Sequence, residues 1–242
     1  MMNGIIDFHS HILPGIDDGS QSVEESIALL RKEAEQGVTQ VIATPHFYPR
    51  YDAPEQFLKR RSEAEAALRE EMSKHAGLPQ LFVGAEVYFF NGISDCEAIL
   101  PLTIDKKRCI LIEMPLPPWT DSMYRELEGI YEKQGITPII AHIDRYIGPF
   151  RTYGIPERLA ELPVIVQAKA DFFLHRTTLP MALRMVRSDR IHLLGSDAHN
   201  LKDRKPNLGQ VLPLIEKRIG QPCLDRKNAL AQKIVYESPM VV

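Results

Sequence analysis

The stretch DFHSHILPGIDDG, residues 7–19, brings His9, His11, Asp17 and Asp18 together near one end of the chain. A single H-x-H proves little, because such pairs are common in polar turns. Comparable residues recur, however, each time just after or within an apolar run. ATPH ends in His46, GAEVY carries Glu86, and ILIEMP carries Glu113. IIAHIDRY then supplies His142, Asp144 and Arg145, and LLGSDAHN supplies Asp197 and His199. His75, His175 and His192 fall outside this pattern.

Singly, each residue has an ordinary reading: a strand-end histidine that hydrogen-bonds, an aspartate that caps a helix. Glu86 and Glu113 resist it. A carboxylate inside an apolar strand is costly to bury unless a cation or donor meets it. Few lysines or arginines stand at comparable positions, so metal ions are the expected partners. Imidazole and carboxylate without cysteine suit Mn²⁺, Fe²⁺ or Zn²⁺. The donors exceed the needs of one ion, which points to two or three ions bridged by carboxylates. Such a cluster acidifies a water and neutralises a phosphoryl group under in-line attack. Arg145, and Arg204 in the loop after the last strand, are placed to clamp phosphate oxygens, with a surface ion pair as the competing reading of each.

Parallel β-strands are the elements that would deliver these residues to one place. Apolar runs at Ile5–Phe8, Gln40–Thr44, Leu81–Tyr88, Arg108–Met114, Thr137–Ala141, Val164–Gln167 and Ile191–Gly195 predict seven strands, most apolar on consecutive residues as in strands buried on both faces. Helical patterns separate them. Ser22 and Glu25 predict a capping box, and Gly37 the end of that helix. Further helices are expected at 54–74, 120–134, 156–162, 178–188, 207–219 and 224–236. Strand–helix alternation without a linker predicts one domain over 1–242, either a parallel barrel or an open doubly wound sheet. In a barrel, the C-terminal strand ends converge on one face.

Composition narrows the function. The 242 residues carry a net charge of −3 with scattered cations, which argues against capture of nucleic acid through phosphates. No dinucleotide or Walker glycine motif is present. No run of residues has the length of a membrane span, and no secretory leader is recognisable. Cys96, Cys109 and Cys223 are odd in number and far apart, which fits a reducing, cytoplasmic setting.

Taken in order, the opening H-x-H, the strand-two histidine, GAE, the strand-four glutamate, AHIDRY and SDAHN resemble the PHP (polymerase and histidinol phosphatase) superfamily. Within it, DFHSHILPGIDDG, GAEVY and PIIAHIDRY resemble the bacterial CpsB/YwqE type of manganese-dependent protein-tyrosine phosphatase. The resemblance spans nearly the whole chain. It implies a distorted seven-stranded (β/α)7 TIM-like barrel, with His9, His11, Asp18, His46, Glu86, Glu113, His142, Asp197 and His199 as metal ligands and Glu86 and Glu113 as bridges. It selects Asp18 over Asp17, leaving Asp17 to shape the turn. Arg145, Arg204 and Asp197 become the catalytic group, the two arginines binding phosphate, with Arg50 as a further substrate contact. Mn²⁺ becomes the expected cofactor, with Fe or Zn as substitutes. The implied partner is the C-terminal phosphotyrosine tail of a bacterial tyrosine kinase governing capsule or exopolysaccharide synthesis, with membrane contact only through that kinase. Strand six departs from the pattern: VIVQAKAD places Lys169 where asparagine is more usual, and so either tunes the pocket wall or sets a cation beside the metals.

Two other functions fit the same residues. One is hydrolysis of a small phosphate monoester such as histidinol phosphate; the other is a non-catalytic binder of a phosphotyrosine tail. Cysteine chemistry is not expected, since no C-x5-R loop is present. Self-association is left open, the helix at 22–36 suiting an interface as well as a barrel wall.

Overall fold

The computed structural model describes residues 4–148 and 150–237; residues 1–3 and 238–242, the two ends of the expected domain, lie outside the described residues. Strands β1 (Ile5–Ser10), β2 (Val38–Ala43), β3 (His46–Phe47), β4 (Gln80–Val83), β5 (Glu86–Tyr88), β6 (Cys109–Glu113), β7 (Thr137–Ile140), β8 (Ile165–Lys169) and β9 (Leu193–Gly195) alternate with helices. The helices are α1 (Val23–Glu35), α2 (Pro54–Met72), α3 (Asp121–Gln134), α4 (Ile155–Leu159), α5 (Asp171–Leu174), α6 (Leu179–Arg187), α7 (Leu208–Ile219) and α8 (Gln221–Tyr236). Every strand pair is parallel, in the orders β1-β2-β4 and β3-β5-β6-β7-β8-β9. The result is an α/β fold built on a curled parallel sheet.

Seven strands were expected from the apolar runs, and nine are assigned among the described residues. The run Leu81–Tyr88 breaks at Gly84–Ala85 into β4 and β5, and a short β3 follows β2 after Thr44 and Pro45. Backbone bonds cross both breaks: Gly84 N–H donates to Ala43 O at 2.9 Å, and Glu86 N–H to Pro45 O at 3.0 Å. At the far edge, Asp197 N–H donates to His9 O and His11 N–H to Ala198 O, both at 2.8 Å, which ties the chain after β9 to β1. Gly195 is required there, because a Cβ would lie 2.6 Å from the His9 Cβ and 2.9 Å from the His9 nitrogen.

Helix ends follow local sequence. Ser22 Oγ accepts Glu25 N–H at 3.3 Å, but Glu25 turns its carboxylate to Gln21 N–H rather than to Ser22, so the capping box is half formed. Gly37 and Gly135 close α1 and α3 with φ of +81° and +62°. The turns over residues 93–106 are 3₁₀, interrupted by Pro101, and neither they nor α5 carry a periodicity that predicts them.

Side chains alternate between two apolar clusters. Val164, Val166, Ile110 and Ile112 pack outward against the helices. Ile165, Cys109, Leu111, Ile139, Ile6, Phe8 and Leu193 pack inward, where Ala231, Ile234 and Val235 of α8 join them. With a side-chain period of two, Gln167 and Lys169 continue the inward column of Ile165, and Glu113 that of Cys109 and Leu111. Polar residues therefore sit on the last rungs, above an apolar floor.

Candidate metal centre

All nine side chains expected to bind metal meet at the C-terminal ends of the strands. Glu86, almost fully buried, is the hub: its carboxylate lies 2.7 Å from His142 Nε2, 3.1 Å from His9 Nε2, 3.1 Å from His46 Nδ1 and 3.3 Å from His11 Nε2. Asp197 Oδ1 lies 3.4 Å from Nε2 of both His9 and His11. Asp18 Oδ1 approaches His199 Nε2 at 3.3 Å and His46 Nε2 at 3.5 Å. Glu113 is 3.9 Å from both His46 and His142.

Three overlapping groups have donor atoms within 4.8 Å of one another: His11, Asp18, His46 and His199; His9, His11 and Glu86; and His46, Glu86 and Glu113. His11, His46 and Glu86 each serve two groups, so neighbouring cations could share them. The packing of bare donors fits cations better than a hydrogen-bond network. His9 Nε2 and His11 Nε2 face each other at 3.0 Å, where one shared proton at most can intervene. His142 Nδ1, His199 Nε2 and Glu113 Oε2 are buried without a hydrogen-bond partner among the described residues. The set is oxygen and imidazole nitrogen only, which suits a divalent ion of the first transition series.

The surrounding residues orient these donors. Asp17 accepts His11 Nδ1–H at 2.7 Å, Gly19 N–H at 2.9 Å and His46 N–H at 3.0 Å. It does shape the turn, as expected, but it also fixes the His11 ring with Nε2 turned inward, a role the sequence reading missed. His199 Nδ1–H donates to Asp197 O at 2.9 Å and leaves Nε2 for the centre. Gln167 Oε1 accepts His142 N–H at 2.6 Å. Buried Asp7 accepts from Ser196 N–H at 2.8 Å and His9 N–H at 3.1 Å, clamping the first histidine strand to the SDAH loop. His142 and Asp197 adopt φ of +32° and +55°. For non-glycine residues that conformation costs roughly 1–3 kcal/mol each, and it concentrates at functional sites.

Three cations rim the centre. Arg145 donates to Glu113 Oε1, so this strand carboxylate does have an arginine beside it, contrary to the expectation that cations were lacking. Arg145 was expected to clamp phosphate, but its pairing with Glu113 was not, because it stands on a 3₁₀ turn after β7, distant in sequence from Glu113. Arg204 donates from Nη2 to both Asp197 oxygens at 2.9 and 3.0 Å, and its Nη1 reaches Asp18 at 3.4 Å. Lys169 Nζ lies 3.5 Å from Asp197 Oδ2, so the unusual strand-six lysine does bring a cation to the centre. Arg50 stands apart, exposed, with its guanidinium 5.7 Å over the Tyr51 ring.

Charge balance in this cluster is tight. Burial opposes charge on His9 and His11, yet the Glu86 and Asp197 carboxylates outweigh it on His9, and Asp17 joins them on His11; both imidazoles are held above their usual pKa. Burial and the neighbouring His11 push His199 down to about 4. Burial works against ionised Glu86 and Asp197, but the histidines hold both well below the usual carboxylate range.

The chain is similar to known proteins over nearly its whole length. A family model for capsular polysaccharide synthesis, CpsB/CapC, matches residues 5–240. The tyrosine-protein phosphatase YwqE of Bacillus subtilis is 28% identical over 97% of this chain and 95% of its own. The tyrosine-protein phosphatase CpsB of Streptococcus pneumoniae is 30% identical over 89% of this chain and 91% of its own. In three dimensions the fold matches a crystal structure from work on YwqE and CpsB, described as metal-dependent tyrosine phosphatases, with a TM-score of 0.84 and 23% identity, covering 98% of this chain and 97% of that one.

Proposed function

From the premise that this chain belongs to the CpsB/CapC family of capsular polysaccharide synthesis, we propose that it is a metal-dependent protein-tyrosine phosphatase. The observation that carries this reading is the set of three donor groups joined by shared side chains, with Arg145 and Arg204 beside their carboxylates. His9, His11, Asp18, His46, Glu86, Glu113, His142, Asp197 and His199 are assigned as ligands for two or three ions, with Mn²⁺ as the metal. Bound there, divalent ions polarise the phosphoryl group and supply an acidified water for in-line attack.

The chain's own residues then divide the work. Glu86 holds four imidazoles around one point. Arg145 and Arg204, about one-third exposed, have guanidinium groups free to take phosphate oxygens once their carboxylates are committed to cations. Lys169 adds a point charge on the Asp197 side. Arg50, outside the centre, would meet the peptide rather than the phosphate. Cys109 is buried and its thiol is pushed up to about 12, so it is no nucleophile, and Cys223 is buried as well.

The finer fold reading belongs here too: β2 with β3, and β4 with β5, each count as one bent stave, giving a distorted seven-staved barrel that serves as a single domain. No helix among the described residues is long and apolar enough to cross a membrane. We assign the chain to the cytoplasm, where the C-terminal phosphotyrosines of a tyrosine kinase of the polysaccharide machinery are its substrate. The test is hydrolysis of a phosphotyrosyl peptide alongside histidinol phosphate. Peptide turnover lost on chelation and restored by Mn²⁺ is the expected result. Undiminished turnover by metal-free protein, or preference for histidinol phosphate, refutes the proposal.

A further inference from the structure

Beyond the ligands, strand register places two aromatic rings at the mouth of the centre. β3 and β5 pair His46 with Glu86 and Phe47 with Val87, so the next rung belongs to Tyr48 and Tyr88. Because strand side chains alternate, Tyr48 shares the face of His46, and Tyr88 that of Glu86, one step nearer solvent. β5 and β6 pair Tyr88 with Glu113, the carboxylate that Arg145 holds. Ring geometry agrees: Tyr48 stacks on His46 at 5.1 Å and 27°, and lies 5.7 Å from Tyr88.

Both rings are half-buried, and neither hydroxyl makes a hydrogen bond among the described residues. The other aromatics nearby are committed to the fold. Tyr146 is fully buried with its hydroxyl accepting Met114 N–H, and Trp119 donates to Pro115 O.

A phosphate set between the ligands and Arg145 must project its ester group outward, into the rung of Tyr48 and Tyr88. We infer that these two tyrosines form an aromatic wall that selects aryl over alkyl phosphate esters, contacting the substrate ring itself. The inference rests on the phosphatase reading and names specificity-determining residues for it. Ring–ring contact at 4.5–7 Å corresponds to roughly two- to tenfold in affinity per pair.

The test compares kcat/KM for phosphotyrosine and glycerol 2-phosphate, and affinities for phenylphosphonate and methylphosphonate by calorimetry, all with the Mn²⁺-loaded protein. Tyr48→Ala is expected to lose about five- to tenfold more on the aryl member of each pair, chiefly through KM, whereas Tyr48→Phe keeps the wild-type ratios. Tyr88→Leu, one strand over, is the second variant and carries the same expectation should Tyr48→Ala lose metal or fold. Aryl-to-alkyl ratios unmoved in the folded, metal-loaded variants overturn the inference alone. Wild-type protein inactive on both esters overturns the phosphatase reading, and the inference with it.

Discussion

Glu86→Gln is the perturbation that probes the centre most directly. Glutamine keeps the volume, so no cavity opens, but it removes the negative charge around which His9, His11, His46 and His142 gather within 2.7–3.3 Å. Glu86 belongs to two of the three donor groups, so two ion positions weaken together. Loss of even an orienting partner costs about 10–100-fold in metal affinity, and a shared direct ligand belongs at the upper end of that range or above it. Metal at about 100 times its Kd stabilises the folded state by about 2.7 kcal/mol, of which a 100-fold weakening removes about 2.3 kcal/mol. For a domain of this size each kcal/mol moves Tm by about 2–4 °C, so the metal-induced rise in Tm should shrink by about 5–9 °C. The assay is scanning calorimetry of wild type and variant, each chelated and then reloaded with Mn²⁺, with metal content measured in parallel. Comparing the increments cancels any effect of the substitution on the metal-free fold. An equal increment and equal metal content in Glu86→Gln would refute the role of Glu86 as a shared ligand.

Other perturbations separate the supporting parts. Asp17→Asn should weaken Mn²⁺ binding about 10–100-fold in a metal titration, because one amide oxygen cannot replace both the Oδ2 that accepts from His11 Nδ1–H and His46 N–H and the Oδ1 that accepts from Gly19 N–H, and the His11 ring loses its charged partner. His192, which burial pushes down from 6.5 to about 4, stays neutral in the folded state while the unfolded chain protonates. Its contribution is therefore full above pH 6.5 and is lost as pH falls toward 4; discounted for partial exposure, the loss is about 2 kcal/mol. Denaturant unfolding across that range should show a steeper fall for wild type than for His192→Gln. Iodoacetamide at pH 8 on folded protein should leave phosphotyrosine hydrolysis within about twofold, since water rather than a thiolate attacks and Cys109 is buried with a raised pKa. Inactivation by alkylation would contradict that.

Much of the centre was legible because parallel strands bring their C-terminal ends together, so residue types at those ends can be summed across the chain. His9, His46, Glu86, His142 and Asp197 lie far apart in sequence yet meet around one carboxylate or its neighbour. Bonds fixed by loops were less legible. The turn closed by Gly19, where a Cβ would lie 2.1 Å from His11 O, folds Asp17 back onto His11, and no periodicity announces that. The left-handed backbones of His142 and Asp197 are equally silent in sequence, since neither residue type requires φ above zero. The pairing of Arg145 with Glu113 depends on a 3₁₀ turn after β7 that aims a side chain back to the end of the neighbouring strand β6. The break within Leu81–Tyr88 stayed hidden because the residues on both sides of it are mostly apolar, and β3 (His46–Phe47) lies beyond the expected strand Gln40–Thr44 and is too short to show a pattern.

Those breaks bear on function. The ladder β1-β2-β4 ends at Ala43 and Val83, and β3-β5 begins at His46 and Glu86, so both proposed ligands are the first residues after a bend. An unbroken strand would carry the inward column of Ile42 and Phe82 straight on, holding its side chains at a fixed spacing. The bend lets the chain re-aim, and it delivers His46 and Glu86 opposite each other while Phe47 and Val87 still pack outward. Each ligand is thereby followed two residues later by a tyrosine at the mouth. The same short segments thus supply the proposed metal donors on one rung and two tyrosine rings on the next. Straightening either bend, for example by deleting Ala85, should shift Glu86 and Tyr88 together to the wrong face. A loss of metal content accompanied by loss of phenylphosphonate binding is the outcome expected of such a shift. Retention of either one would separate two features that this register makes inseparable.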